Sequence, residues 1–289
     1  MVANIGLMLI GSKGFQKEIL WFETIEAIKK TDKGESLDTK LNVGSGEGII
    51  RPMKRSDDPL VGPDALMVMI PSDLDNLVKH HDTNKIDRIN MGSFNLYLIK
   101  DESKSPLTLA GPFLGAPQAV MGCERIIALG VTRIWVFGWC GSIDPALRIG
   151  DLLIPTSGVS EEGTSQHYPI GERSLTTDDE LNGVLERSLK EKSLHYRKGA
   201  VWTTDAPFRE TPGKVKEFQD QGVLAVEMEM SALMTLSIFR KVKLSGLLVV
   251  SDELFELKWR PGFSKPEFSD ALGLAREIIL DLARSMNHD

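Results

Sequence analysis

The chain has 289 residues, 42% hydrophobic and 26% charged, which suits one large core under a solvated surface. Lysine and arginine number 34 against 41 aspartate and glutamate, a formal net charge of −7. That balance argues against a nucleic-acid backbone or an anionic membrane as partner, since both select a basic face, and leaves open a small anion held by a few local donors. The two cysteines, Cys123 and Cys140, are too few for a disulfide scaffold and lack metal-ligand spacing. Reduced thiols, no apolar run of the ~18–20 residues that a span needs, and no basic start ahead of a cleavage site together predict a soluble cytoplasmic protein.

Residues 1–62 read as an N-terminal extension. Ile19, Leu20, Phe22, Ile25 and Ile28 have the spacing of an amphipathic helix. Residues 31–48 are polar and glycine-rich, and 51–63 read as a linker or extended arm. One domain is expected over 63–289. Residues 65–70 are a continuous apolar run, the mark of a strand buried on both faces. Pro71 and Ser72 end it, with Ser72 a candidate N-cap for a helix through Leu74, Leu77 and Val78. Residues 94–99 and 107–110 read as strands. A helix over about 118–129 closes on Gly130. Strands follow at 133–137 and 152–155. Thr177 and Glu180 have capping-box spacing ahead of a helix through Leu181, Val184, Leu185 and Leu189. Further strands are expected at 200–204, 223–226 and 244–250, and further helices at about 230–239 and 269–286. Strands alternating with helices give a layered α/β fold with mostly parallel pairing.

Open parallel sheets bind ligands beyond the carboxyl ends of their strands. Four such ends carry chemistry. At 135–142 an apolar strand meets Gly138 and Gly141; glycines there either expose backbone N–H groups to a ligand or simply make a tight turn. Beyond 200–204 stands Phe208, which either stacks on a planar ring or packs in the core. Glu227, Met228 and Glu229 lie where strand meets helix. The helix dipole alone accounts for a glutamate there, while a carboxylate taking two hydroxyls would recognise a sugar cis-diol with methionine on its apolar side. The strand at 244–250 delivers Ser251 and Asp252 to its end. Either residue caps a following turn, or Asp252 is an acid beside a low-dielectric pocket where its pKa can rise.

In this order the segments resemble the purine nucleoside and uridine phosphorylase family, from about residue 65 to the C-terminus. The resemblance rests on residues 137–142, on Ile149, Gly150 and Asp151 with the apolar run after them, on Glu162 to Ser165, on Val226 to Glu229, and on Ser251 with Asp252. It implies a three-layer α/β/α sandwich around a mixed, mostly parallel, partly closed sheet. It implies reversible cleavage of the bond between base and ribose through an oxocarbenium-like transition state. Inorganic phosphate would be the co-substrate, with no metal or organic cofactor. Glu229 would bind the ribose hydroxyls, Met228 would pack on the sugar, and Phe208 would lie near the base. Gly138, Trp139 and Ser251 would complete the nucleoside site. Asp252 matches the acid that protonates N7 of a purine leaving group, general-acid assistance typically of ~10²–10⁴-fold. Uridine-cleaving members usually lack that acid, so a purine is expected. By the same resemblance the protein would be a homo-oligomer, a trimer or hexamer.

Two departures affect the phosphate half of the site. Family phosphorylases carry an arginine two residues before the first glycine of the Gly138 motif and a serine or threonine after it; here those positions are Val136 and Trp139. The early phosphate loop has Ser72 in place of its glycine, with Asn76 and Lys79 nearby. Arg88 matches an arginine that the family supplies from a neighbouring subunit, so Ser72, Arg88 and Gly141 form the candidate phosphate site. Arg148, Arg260 and Lys265 are further cations. Trp139 either fills the space of a phosphate or stacks on a ligand. Phosphorolysis is the leading expectation. Its alternatives are hydrolysis of the same bond by water and a non-catalytic nucleoside-binding protein on the same scaffold.

Overall fold

The computed structural model describes residues 48–79, 86–101 and 104–285. The helix expected around Ile19 to Ile28 lies outside them, as do residues 31–47. Residues 48–62 form no helix or strand. They run against the domain, where Arg125 donates to the Met53 carbonyl and pairs with Asp58 at 2.6 Å.

Ten strands, among the described residues, make one sheet: β1 (Asp64–Val68), β2 (Ile86–Asn90), β3 (Asn95–Asp101), β4 (Lys104–Gly111), β5 (Arg133–Ser142), β6 (Leu152–Ser160), β7 (Tyr196–Thr203), β8 (Ala225–Glu227), β9 (Lys243–Glu253) and β10 (Arg260–Pro261). Their order is β10-β9-β6-β7-β8-β5-β1-β4-β3-β2, with a further pairing of β9 to β5. That pairing closes β5, β9, β6, β7 and β8 on themselves, and β1, β4, β3 and β2 extend from them as an open wing. Parallel ladders join β1 to β4 and β5, β5 to β9, and β7 to β6 and β8. Antiparallel ladders join β5 to β8, β6 to β9, and β2, β3 and β4. The sheet is therefore mixed and partly closed, and helices flank it. Of the helices α1 (Pro71–Lys79), α2 (Gly115–Leu129), α3 (Asp179–Glu191), α4 (Pro212–Asp220), α5 (Met230–Arg240) and α6 (Pro266–Ser285), α2 packs on α5 and α3 packs on α6. α5 lies on β6 and β7, and α6 lies on β9, β1 and β5.

The burial pattern explains why the central strands form. β1 is buried along its whole length, and β5 and β9 nearly so. Side chains enclosed on both faces remove apolar area from water at roughly 25 cal/mol per Å². Gly130 ends α2 with φ 122°, its N–H bonded to the Ile126 and Ile127 carbonyls. Two expected caps are corrected. α1 starts at Pro71, whose fixed φ and missing N–H suit a first helical position, so Ser72 lies inside the first turn. α3 is capped by Asp178, whose carboxylate accepts from the Leu181 N–H at 3.0 Å, while the Thr177 hydroxyl donates to the Pro155 carbonyl at 2.8 Å.

One irregularity positions the site. Along the β5–β9 ladder Cys140 pairs with Val250, and the next pair is Gly141 with Asp252. Ser251 is thus an extra residue on β9, a β-bulge, and a bulge re-aims the side chain that follows it.

Candidate active site

The ends of β1, β5, β8 and β9 open onto a cavity of about 600 Å³. Asp252 enters it from the bulged end of β9. Both its oxygens accept hydrogen bonds, Oδ1 from the Ser251 hydroxyl at 2.6 Å and Oδ2 from the Trp259 indole at 2.9 Å. The facing strand carries no side chain at Gly141. A Cβ there would lie 2.7 Å from Leu254 Cδ1 and 3.1 Å from Asp252 Oδ2.

The acidic pair at the end of β8 divides its work. Glu227 caps α5: its Oε2 accepts from the N–H groups of Glu229 at 2.6 Å and Met230 at 2.7 Å, and the Thr203 hydroxyl donates to its Oε1. Glu229 turns away from that helix start and accepts from the Gly115 N–H at 2.6 Å, at the beginning of α2. Both carboxyls are buried. Burial pushes Glu227 up, to about 7, against its own hydrogen bonds. Burial, then the charge of Glu227, pushes Glu229 up to about 8. The Glu229 carboxyl is thus held toward its protonated form by its surroundings. Glu162 ties the end of β6 to α5, accepting from the Thr164 and Ser165 N–H groups at 2.6 and 3.0 Å and from the Ser231 hydroxyl at 3.1 Å. Burial raises its pKa, but hydrogen bonds from Ser165, Ser160 and Thr164 outweigh it, and the net shift is downward.

Glu210 also lines the cavity. It follows the short 3₁₀ turn Pro207–Arg209. Burial pushes it up to about 7, and the charges of Asp252 and Glu161 add to that. The cavity thus holds a second carboxyl whose proton affinity is raised by burial and by the charge of Asp252.

Most expected site residues come together here. Trp139, Gly141, Phe208, Met228, Glu229, Ser251 and Asp252 line the one cavity. Phe208 is fully exposed, so it is not a core residue. The glycine turn differs from expectation. β5 runs on through Ser142, with Gly138 opposite Leu248 and Gly141 opposite both Val226 and Asp252, so this backbone belongs to a ladder and is not looped around an anion. Gly138 stands outside the lining, and a Cβ on it would meet Met69 Cγ at 3.2 Å. Ser72 and Arg88 are also outside it. Arg88, on β2, reaches Asn95 at 3.2 Å and stands over the Tyr97 ring. Arg148 pairs with Glu253 at 3.0 Å, and Arg260 pairs with Glu256. Sequence reasoning missed Glu210 and Trp259. Glu210 carries a faint signal, an acid two residues beyond Phe208 in a polar turn; Trp259 carries none, because only the hairpin of β9 with β10 brings it to Asp252.

Trp139 is held from behind. Its indole N–H donates to Asp73 Oδ2 at 2.7 Å, and Arg276 donates to the other oxygen of Asp73 at 2.9 Å. Asp73 is fully buried. The Phe268 ring packs edge-on to the indole at 5.0 Å, and Phe263 lies at 5.9 Å.

The comparisons with known proteins agree with this architecture. The family model described as the phosphorylase superfamily matches residues 63–284. A purine nucleoside phosphorylase of the DeoD type from Bacillus cereus is 32% identical over 151 residues, 52% of this chain and 64% of that protein. A guanosine phosphorylase from Halorubrum lacusprofundi is 25% identical over 148 residues, 51% of this chain and 61% of that protein. The chain thus spans somewhat under two thirds of the length of these curated relatives. Among solved structures, purine nucleoside phosphorylase from Toxoplasma gondii in complex with immucillin-H superposes with a TM-score of 0.70 at 20% identity, over 79% of this chain and 92% of that one. Uridine phosphorylase from Vibrio fischeri gives 0.67 at 18%, over 78% and 93%. Those likenesses speak for the fold, and the family match speaks for descent: the chain belongs to the phosphorylase superfamily.

Proposed function

We propose that this chain cleaves the N-glycosidic bond of a purine nucleoside. One observation carries the reading: Asp252 from the bulged end of β9 and Glu229 from the end of β8, held at the beginning of α2, open into the same cavity, which Met228 also lines. As the bond between C1′ and the base lengthens, the sugar gains positive charge and the base negative charge. The acid at Asp252 relieves the second by giving a proton to the base, and Glu210 lines the same cavity. Glu229 grips the ribose hydroxyls and fixes the sugar in the geometry that expels the base. Phe208, exposed at the mouth, offers a face for the purine ring. The names of the two curated relatives, a purine nucleoside and a guanosine phosphorylase, support the purine.

The test is chromatographic release of free base from inosine, guanosine, adenosine and uridine. Base should appear from purine nucleosides, and Asp252→Ala should slow it ~10²–10⁴-fold while the thermal unfolding profile stays unchanged. Equal turnover by Asp252→Ala, or a preference for uridine, would contradict the assignment. Exposed Phe208, Leu114 and Trp259 line the same cavity and support an assembly of copies of this chain; the trimer or hexamer that the resemblance implies is read directly by light scattering, and a monomer would contradict it.

A further inference from the structure

We propose that Trp259 is a positioning residue for departure of the base. Its indole N–H holds the Asp252 carboxyl in place and shares the charge left there once the proton has gone. The inference rests on the nucleoside reading above and adds a residue to its proton-transfer machinery.

The first support is the way the chain brings Trp259 to the acid. Beyond Asp252 the chain turns and comes back as β10, with Glu253 opposite Arg260 and Asp252 opposite Pro261. The turn closes at Leu257, with φ 59° and its N–H bonded to the Leu254 carbonyl at 2.7 Å. Trp259 is the residue just before β10. On the far side of β10 the Gly262 N–H donates at 2.8 Å to the carbonyl of Ser251, the bulged residue itself. A Cβ on Gly262 would stand 2.7 Å from that carbonyl oxygen and 2.5 Å from Ile149 Cγ2, so a side chain there would push the hairpin off the bulge. The bulge that turns Asp252 into the cavity is therefore tied to the hairpin that carries Trp259.

The second support is the indole itself. The Trp259 side chain is mostly exposed, yet its N–H is directed to Asp252 Oδ2 at 2.9 Å. Phe263 lies 6.3 Å from its ring and 5.9 Å from the Trp139 ring, so the three rings continue one another along the cavity. An indole N–H donates and never accepts, so it cannot take the acid's proton. Ser251 holds the other oxygen, at 2.6 Å. One donor on each oxygen fixes the carboxyl at two points and leaves a lone pair on each for the proton.

The step is the one assigned to Asp252. Its proton passes to N7 and the electron pair of the bond to C1′ passes to the base. Inorganic phosphate, the acceptor that the resemblance implies, bonds to C1′. The carboxyl is left as an anion. Hydrogen bonds to a charged group are roughly twice as strong as neutral ones, so the Trp259 bond tightens as the proton leaves. A contact that strengthens toward the transition state raises kcat rather than lowering KM.

The experiment measures kcat and KM for inosine in phosphate buffer with the full-length protein, Trp259→Phe, Asp252→Ala and the double variant. Trp259→Phe keeps an aromatic ring and removes the N–H. The expected result is a kcat lower by ~10–100-fold with KM little changed, the loss that a bond to a charged group carries. In the Asp252→Ala background the same replacement should cost nothing further, because Trp259 acts through Asp252. 7-Methylguanosine, whose base is already cationic and takes no proton at N7, should be slowed less than inosine. Additive losses in the double variant, equal slowing of both nucleosides, a change in KM alone, or wild-type kcat in Trp259→Phe would each overturn the inference and leave nucleoside cleavage standing. A wild-type protein that releases no base from either nucleoside would sink the nucleoside reading, and this inference with it.

Discussion

Replacing Gly141 by alanine adds one methyl group where the account leaves no room. The new Cβ would stand 2.7 Å from Leu254 Cδ1 and 3.1 Å from Asp252 Oδ2. Carbon atoms pack best at roughly 3.5–4.0 Å, so a shift of about 1 Å is required. Leu254 can yield part of it as the end of a flexible side chain. Asp252 resists, because the Trp259 indole and the Ser251 hydroxyl hold both its oxygens. Overpacking of this size costs about 1–3 kcal/mol in stability, and each kcal/mol lowers Tm by about 2–4 °C in a domain of this class. The larger effect falls on catalysis, where misplacing a reacting group by ~1 Å costs on the order of 100-fold, about 2.7 kcal/mol of barrier. Base release from inosine, with circular dichroism and a thermal melt on the same samples, measures both. A Gly141→Ala protein with wild-type kcat/KM would refute the claim that the bulge and the bare glycine together aim Asp252.

Other perturbations test other parts of the structure. Glu229 has its folded pKa raised, chiefly by burial, so the stability it contributes is full below its ordinary pKa near 4.5 and is lost as pH rises through about 8. Glu229→Gln should remove that loss, and urea melts at pH 5 and pH 8 should differ less in the variant than in the wild type; an equal or larger difference would show that Glu229 does not titrate in this range. The Thr108 hydroxyl is buried without a hydrogen-bond partner. Thr108→Val keeps the shape and removes an unsatisfied group, so Tm should rise, by the equivalent of about 1–3 kcal/mol, and a fall would mean that the hydroxyl has a partner in solution. Gly150 has φ +88°, and a Cβ would lie 2.8 Å from the Glu267 carbonyl oxygen. Gly150→Ala should destabilise by at least ~1–3 kcal/mol, read as a lower urea midpoint, because the obstacle is backbone at the start of α6.

What could be read in the sequence followed from how local the physics is. The runs that became β1 and β9 are apolar because both faces of these strands are covered, and the run itself reveals that. Gly130 announced the end of α2, since a positive φ at a helix C-terminus selects glycine. β2 was missed because its five residues, three of them exposed at the sheet edge, carry no buried-face pattern. The closure of β5, β9, β6, β7 and β8 was beyond reach from residue spacing, because it depends on pairing between segments more than a hundred residues apart. In the site, Asp252 and Glu229 were legible as acids at the ends of strands. The bulge at Ser251 was not, as nothing local distinguishes an extra residue from a paired one. Glycines 138 and 141 suggested a ligand turn, and their actual partners are the side chains of Met69, Leu254 and Asp252, supplied by other strands and the loops after them. The departures at Val136 and Trp139 were visible as residue types. Their consequence, an indole anchored to buried Asp73 and through it to Arg276, needed coordinates.

The most direct test of the account is a crystal structure of the protein bound to a slowly cleaved purine nucleoside analogue. The account places the ribose hydroxyls within hydrogen-bond distance of the Glu229 carboxyl and N7 of the purine beside the Asp252 carboxyl, in one molecule filling the cavity. A nucleoside bound elsewhere, or one whose base turns away from Asp252 while its sugar misses Glu229, would contradict it.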